Sequence, residues 1–288
     1  MAFGRQPRGG NPYDNQYGNQ HNQYNTQYNT QYSSQYGAPQ YGQPYAYGPS
    51  GAAMPAQMAY SYEEVQSAKR ASVTKAYGEM TIGLLITAVV AVVAQTTGAY
   101  ARFVMSTGLI GVFLFAAIQI GLAVWLGARI MTIKASTARV MFYVYAALMG
   151  FTLSSVFMVY DLGSIGLALG MTALFFLVLT MFSMTTKLDM LKAGPILMVG
   201  LIVLIVSQLI LSFIPGTSGM TQLMCALGLI LFAGMTMYDA QQTRALFAAY
   251  EAQGPEMIRK ISVVCALNLY LDFVNMFLYI LQLLGDRD

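Results

Sequence analysis

The chain has 288 residues, of which 56% are hydrophobic and only 9% charged, against about a quarter charged in an ordinary globular domain. That balance excludes a water-soluble globular protein and points to a lipid bilayer as the solvent. A formal net charge of +3, spread along the chain, gives no basis for a nucleic-acid partner.

The first segment, residues 1–66, has almost no aliphatic side chains and repeats Gln-Tyr every four residues from Gln23 to Tyr36. Such Gln/Asn/Tyr/Gly/Pro composition cannot bury enough apolar area to offset chain entropy, so the segment is expected to be a disordered tail. It reads as a solvated tether or as a tyrosine-rich interaction segment. It lacks a basic start followed by an apolar core and a small-residue cleavage site, so no cleaved signal peptide is expected. The single histidine, His21, lies here, which leaves residues 67–288 without a histidine for catalysis.

Seven apolar runs follow, each close to the ~20 residues that cross the ~30 Å hydrocarbon layer. They cover roughly Tyr77–Thr97, Val104–Ala128, Val140–Tyr160, Ile165–Thr185, Gly194–Ile214, Met220–Ala240 and Ile261–Leu284. The expected fold is an all-α membrane protein of seven transmembrane helices. The third and fifth connections, "DLGS" and "PGTSG", are short turns, so their flanking helices are expected to be antiparallel neighbours.

All of the fifteen Lys and Arg residues except Arg102 and Arg287 fall on one side of this arrangement. Basic residues are retained on the cytoplasmic face, which places the N-terminus in the cytoplasm and the C-terminus outside. Most acids lie in predicted loops. Glu79, near the start of the first run, is accounted for by interfacial solvation and a helix N-terminus. Two acids are different. Asp239 stands at the expected cytoplasmic end of the sixth run, and Asp272 stands about eleven residues into the seventh, where a charge costs roughly 2.5–3.5 kcal/mol on insertion scales.

Asp272 is not alone in "LNLYLDFVNMFLYILQLL": Asn268, Asp272, Asn275, Tyr279 and Gln282 are spaced by four, three, four and three residues, on one helix face. Lipid cannot hydrogen-bond them, so the stripe must face other helices or a water-filled cavity. Polar side chains bonding across a packed bundle would suffice for the amides and the tyrosine. Two carboxyls that approached each other would do more. Desolvation and mutual repulsion disfavour the doubly ionised pair, which then titrates as a unit.

No phosphate-binding loop, dinucleotide fingerprint or His/Cys cluster occurs, so no enzyme activity and no cofactor is expected. Cys225 and Cys265 sit inside apolar runs, as small buried side chains rather than ligands.

"LFAGMTMYDAQQTR" at 231–244 and "ALNLYLDFVNMFLYILQLLG" at 266–285 closely resemble the last two helices of the transmembrane Bax-inhibitor-motif family, whose acids stand in YD-x-Q and LYLDF-x-N contexts. The resemblance extends through "VTKAYGEMTIGLLITAVVA", "VYAALMGFTLSSVF" and "TKLDMLKAGPIL", over about residues 70–286, and is similar to bacterial members. It implies six helices around a central seventh, with Asp239 and Asp272 as a pH-sensing pair for a calcium leak; Asn268 and Asn275, on the same face of the last run as Asp272, would lie along that ion path. It also implies a basic side chain at the end of the second helix that engages the acids, Arg129 or Lys134, Arg129 being preferred. The acids would touch calcium transiently, and the setting would be a cell inner membrane. The family also implies an alternative: a regulatory partner of a membrane-bound ATP-dependent protease or of a stress and cell-death response, reached through the tail. An aspartyl intramembrane protease also needs two membrane acids, but the glycine-flanked GxGD context and a PAL motif are absent. A proton-coupled transporter is disfavoured by the lack of paired helix breaks.

Overall fold

The computed structural model describes residues 62–214, 218–250 and 253–285, and the expectation of a disordered tail lies outside them up to residue 61. Seven long helices make up the described chain: α1 (Tyr62–Thr96), α2 (Ala99–Arg129), α3 (Ala135–Leu153), α4 (Leu162–Thr185), α5 (Gly194–Ser212), α6 (Ser218–Tyr250) and α7 (Pro255–Leu284). Two 3-10 turns, Ser154–Met158 and Met190–Ala193, extend α3 and precede α5. α1 begins at Tyr62, inside the segment expected to be tail. Each of the seven contains a stretch long and apolar enough to span a membrane, as the hydropathy pattern requires.

The helices are not equivalent. In α7, 67% of the spanning window is buried, against 33% or less in every other helix and only 6% in α5. The last helix is therefore the axis of the bundle. α1, α3, α4 and α6 pack directly on it, whereas α2 and α5 lie in an outer layer against α3 and α6. Outward-facing Leu85, Val89, Ile110, Leu174, Val203 and Ile230 are exposed, as side chains in hydrocarbon should be. The core holds Phe142, Leu126, Leu269, Tyr270 and Met276, all without solvent access.

Two local features shape the arrangement. Gly150 lets α3 approach α1 so closely that a β-carbon there would stand 2.5 Å from the Thr87 carbonyl oxygen. α2 is broken at Gly108, whose φ of 62° is open to glycine and costly to other residues.

Two expectations need correction. α3 and α4, joined by a short turn, are not packed neighbours. The 3-10 turn after α3 carries the chain past the end of α7, where Tyr160 packs with Ile280 and Leu281, and α3 and α4 then lie separately on the central helix. α5 and α6 do pack together, as expected. α6 also runs to Tyr250 rather than stopping near Ala240, because "AQQTRALFAAY" keeps good helix formers and turns buried Leu246, Phe247 and Tyr250 inward.

Candidate functional site

The extension of α6 moves Asp239 about three helical turns from the helix end, so it lies inside the bundle rather than at its mouth. Asp272 lies on α7 just past the middle of its 30 residues. The long α6–α7 packing brings the two acids together. Their carboxyls are within side-chain interaction reach of each other, with Asn268 beside Asp239 and Thr236 beside Asp272. Asp239 is 5% exposed and Asp272 is 2% exposed, so neither faces lipid or water. Among the described residues, Oδ2 of Asp272 has no hydrogen-bond partner.

The surroundings come from other helices. Tyr77 of α1 and Thr180 of α4 bring their hydroxyls close to one another without full hydrogen-bond geometry, and Tyr77 lies within electrostatic range of both acids. Cys265, one turn before Asn268, stands beside Thr243 of α6. Tyr77, Thr180 and Thr236 escaped the sequence reading because a lone Thr or Tyr in an apolar run carries no periodic signal. Only the packing of α1, α4 and α6 on α7 singles them out.

The stripe on α7 faces the bundle interior throughout. Asn275 donates Nδ2 to the Leu271 carbonyl of its own helix at 2.7 Å. Tyr279 accepts from Gln208 Nε2 of α5 at 2.9 Å, and Gln282 Oε1 accepts from Cys225 Sγ of α6 at 3.2 Å. The interhelical bonds expected of such a stripe are thus present in its second half. Cys225 and Cys265 form no disulfide.

Arg129 is placed differently from the acids: its side chain is exposed at the end of α2, as is Lys134 just beyond. The basic residue that does reach a buried acid is Arg139 of α3, whose Nη2 lies 2.6 Å from Oε1 of Glu79. Glu79 also accepts from the Tyr143 hydroxyl at 2.6 Å and is only 7% exposed. Glu79 is therefore a buried ion-pair partner rather than a solvated interfacial acid. Its position on the α1 face toward α3 leaves it largely shielded, beside a partly exposed Arg139.

The helix ends on the basic side are stitched together. Gln241, two residues after Asp239, donates Nε2 to the Ser183 and Leu188 carbonyls and accepts from the Met190 amide at 2.8 Å, clasping the α4–α5 connection. Glu256 Oε1 accepts from the Ala135 amide at 2.8 Å and Lys260 Nζ donates to the Met131 carbonyl at 3.1 Å, clasping the α2–α3 connection to α7.

Chemically, two carboxyls with an amide and hydroxyls nearby can hold or release a proton and offer oxygen to a hard cation. Among the described residues no cluster of three His, Cys, Asp or Glu side chains occurs. The oxygen set is therefore sparse beside the six to eight ligands of a resident calcium site, and it fits passing contact better.

Residues 69–288 match the family described as Inhibitor of apoptosis-promoting Bax1 (Bax1-I). An uncharacterized protein of Borreliella burgdorferi is 36% identical over 76% of this chain and 93% of its own length. The inner membrane protein YbhL of Escherichia coli K12 is 34% identical over 73% of this chain and 89% of its own. The uncharacterized protein RP147 of Rickettsia prowazekii is 30% identical over 74% and 88%. With its seven apolar helices and the match reaching across all of them, the chain belongs to the Bax1-I family of multi-pass membrane proteins.

Proposed function

We propose that this protein is a pH-sensitive calcium leak path in which Asp239 and Asp272 act as one titrating unit. The observation that carries the reading is the juxtaposition of two carboxyls from neighbouring helices deep in an apolar bundle. A pair holding one proton bears a single negative charge and can bond internally. Losing that proton sets two charges side by side, and their repulsion, relieved by a cation or by separation of α6 and α7, is the switch. Asn268, Asn275 and the hydroxyls of Tyr77 and Thr180 would line the route. The exposure of Arg129 removes support for it as the basic partner of the acids, and we assign it to the charged rim.

YbhL is an inner membrane protein, and we assign the same location here. The basic side, bearing Arg129, Lys134, Lys187, Lys192, Arg244, Arg259 and Lys260, would face the cytoplasm, together with the N-terminus, and the C-terminus would lie outside.

The test is calcium flux of the purified full-length protein in liposomes across pH. Asp272→Asn is expected to lower flux, and Asp239→Asn to leave a leak that no longer responds to pH. Unaltered flux in both variants would overturn the acid pair as the switch and favour a regulatory role through protein partners.

A further inference from the structure

Beyond the acid pair the stripe on α7 continues toward the end of the bundle remote from the basic loops, and Tyr279 interrupts it. This residue lies two turns past Asp272, about 10 Å along the axis, and is 7% exposed. Its ring rests in a notch that only glycine leaves open: a β-carbon on Gly228 of α6 would stand 2.6 Å from Cζ of the tyrosine. Phe232, one turn along α6, lies against the same ring with centroids 5.8 Å apart. The hydroxyl is held by Gln208 of α5, the helix with the smallest buried share in the bundle. One turn further out, Gln282 and Cys225 make the next polar contact.

We propose that Tyr279 is the outer closure of the polar path, its ring filling the Gly228 notch and its hydroxyl moored by Gln208. The inference rests on the reading of the stripe as an ion path, and it adds a second barrier distinct from the acids. A ring that fills the cross-section and bonds at its tip to a peripheral helix is held by a contact that a shift of α5 would release. Gln208 is the one long polar side chain of α5, and its interhelical bond fixes the tip of the ring as well as satisfying the amide. When the ring swings off Gly228, the route from Asn275 to Gln282 is continuous and Cys225 comes into water.

Cys225 and Cys265 make the test internal to the protein. The full-length chain in lipid nanodiscs, which expose both faces, is treated with a charged methanethiosulfonate reagent, and modification of each cysteine is followed by peptide mass mapping. Calcium flux is measured in parallel on the same variants in liposomes. In Tyr279→Phe and in Gln208→Leu the mooring bond is lost while the ring remains. Cys225 should then react about fivefold faster, the effect of one net hydrogen bond on an opening equilibrium. Cys265, on the acid-pair side, should keep its rate, which separates opening at Tyr279 from general loosening. Gly228→Ala, which displaces the ring, should act in the same direction. Unchanged Cys225 labelling in both mooring variants, or equal acceleration of Cys265, would overturn the closure. If that happened while Asp272→Asn still lowered flux, the acid-pair reading would stand alone. Faster Cys225 labelling with no calcium flux in any form would support the closure and sink the calcium reading.

Discussion

Arg139 of α3 and Glu79 of α1 form a 2.6 Å ion pair whose two members sit unequally in the protein: the side chain of Glu79 is 8% exposed, that of Arg139 36%. The acid is the member that cannot be left alone. Removing a partner from a buried pair costs roughly 3–5 kcal/mol, and the partial solvation of Arg139 reduces this to about 2–3 kcal/mol for Arg139→Met. Glu79→Gln keeps the bond to Tyr143 and should cost less. The double variant should be more stable than Arg139→Met alone. Thermal unfolding of the four forms in one detergent closes the cycle, and additive losses would show that the pair is not coupled.

Gln241 offers a second test, on the basic side. Its side chain replaces three backbone partners that the irregular segment after α4 would otherwise lack, and Arg244 adds a bond to the Met184 carbonyl at 3.1 Å. Each such bond has a net worth of about 1 kcal/mol. Gln241→Ala should therefore speed hydrogen exchange at the Met190 amide by about fivefold while leaving the Asp272 helix protected. Unchanged exchange at Met190 would mean that the 3-10 turn holds itself.

These residues also show what the sequence could and could not reveal. The seven spans were legible because each is a continuous apolar run of the right length, and the polar face of α7 because its spacing follows the helical period. The pairing of Asp239 with Asp272 was allowed by the sequence but needed the packing of two helices to become a fact. Helix ends were harder. α6 continues past Ala240 because its amphipathic extension packs against protein rather than lipid, and hydropathy loses such segments. Partners contributed singly by other helices, such as Tyr77, Thr180, Gln208 and Arg139, left no local signature. Arg139 looked like one more basic loop residue, although it is the only one that meets a buried acid in the described chain.

The close contact of α1 and α3 is a third point of prediction. Gly150 faces the backbone of Thr87 and the side chain of Val90, at 2.5 and 2.9 Å for an added β-carbon. A backbone carbonyl cannot rotate away as a flexible side chain would. The same carbonyl region carries Thr87, whose hydroxyl bridges the Ala146 carbonyl at 2.9 Å and the Tyr270 hydroxyl at 2.7 Å. Gly150→Ala should thus force the two helices apart and destabilise the bundle by about 1–3 kcal/mol, as overpacked sites do. Gly170→Ala, where nothing lies within 4 Å, is the matched control and should be neutral or slightly stabilising, alanine being the better helix former. Equal melting temperatures for the two variants would refute the close approach.

Asp161 gives a pH prediction outside the membrane spans. It is the N-cap of α4, and Oδ1 accepts from the Ser164 amide at 3.0 Å. Its contacts with Ser164 favour the charged form and hold its carboxyl below the ordinary aspartate value. A group depressed in the folded state adds stability above its unfolded pKa and loses it as pH falls through the folded value. The cap should therefore be fully effective at neutral pH and fade only in strongly acid solution, below the usual aspartate range. Asp161→Ala should speed exchange of the Ser164 amide at pH 7, and the difference from the parent protein should shrink as the parent is acidified. Asp161→Asn retains a cap oxygen but no charge, so its protection should be intermediate and independent of pH in this range. A parent protein whose Ser164 protection is flat from neutral to strongly acid pH would show that the amide is held by the helix turn and not by the carboxylate.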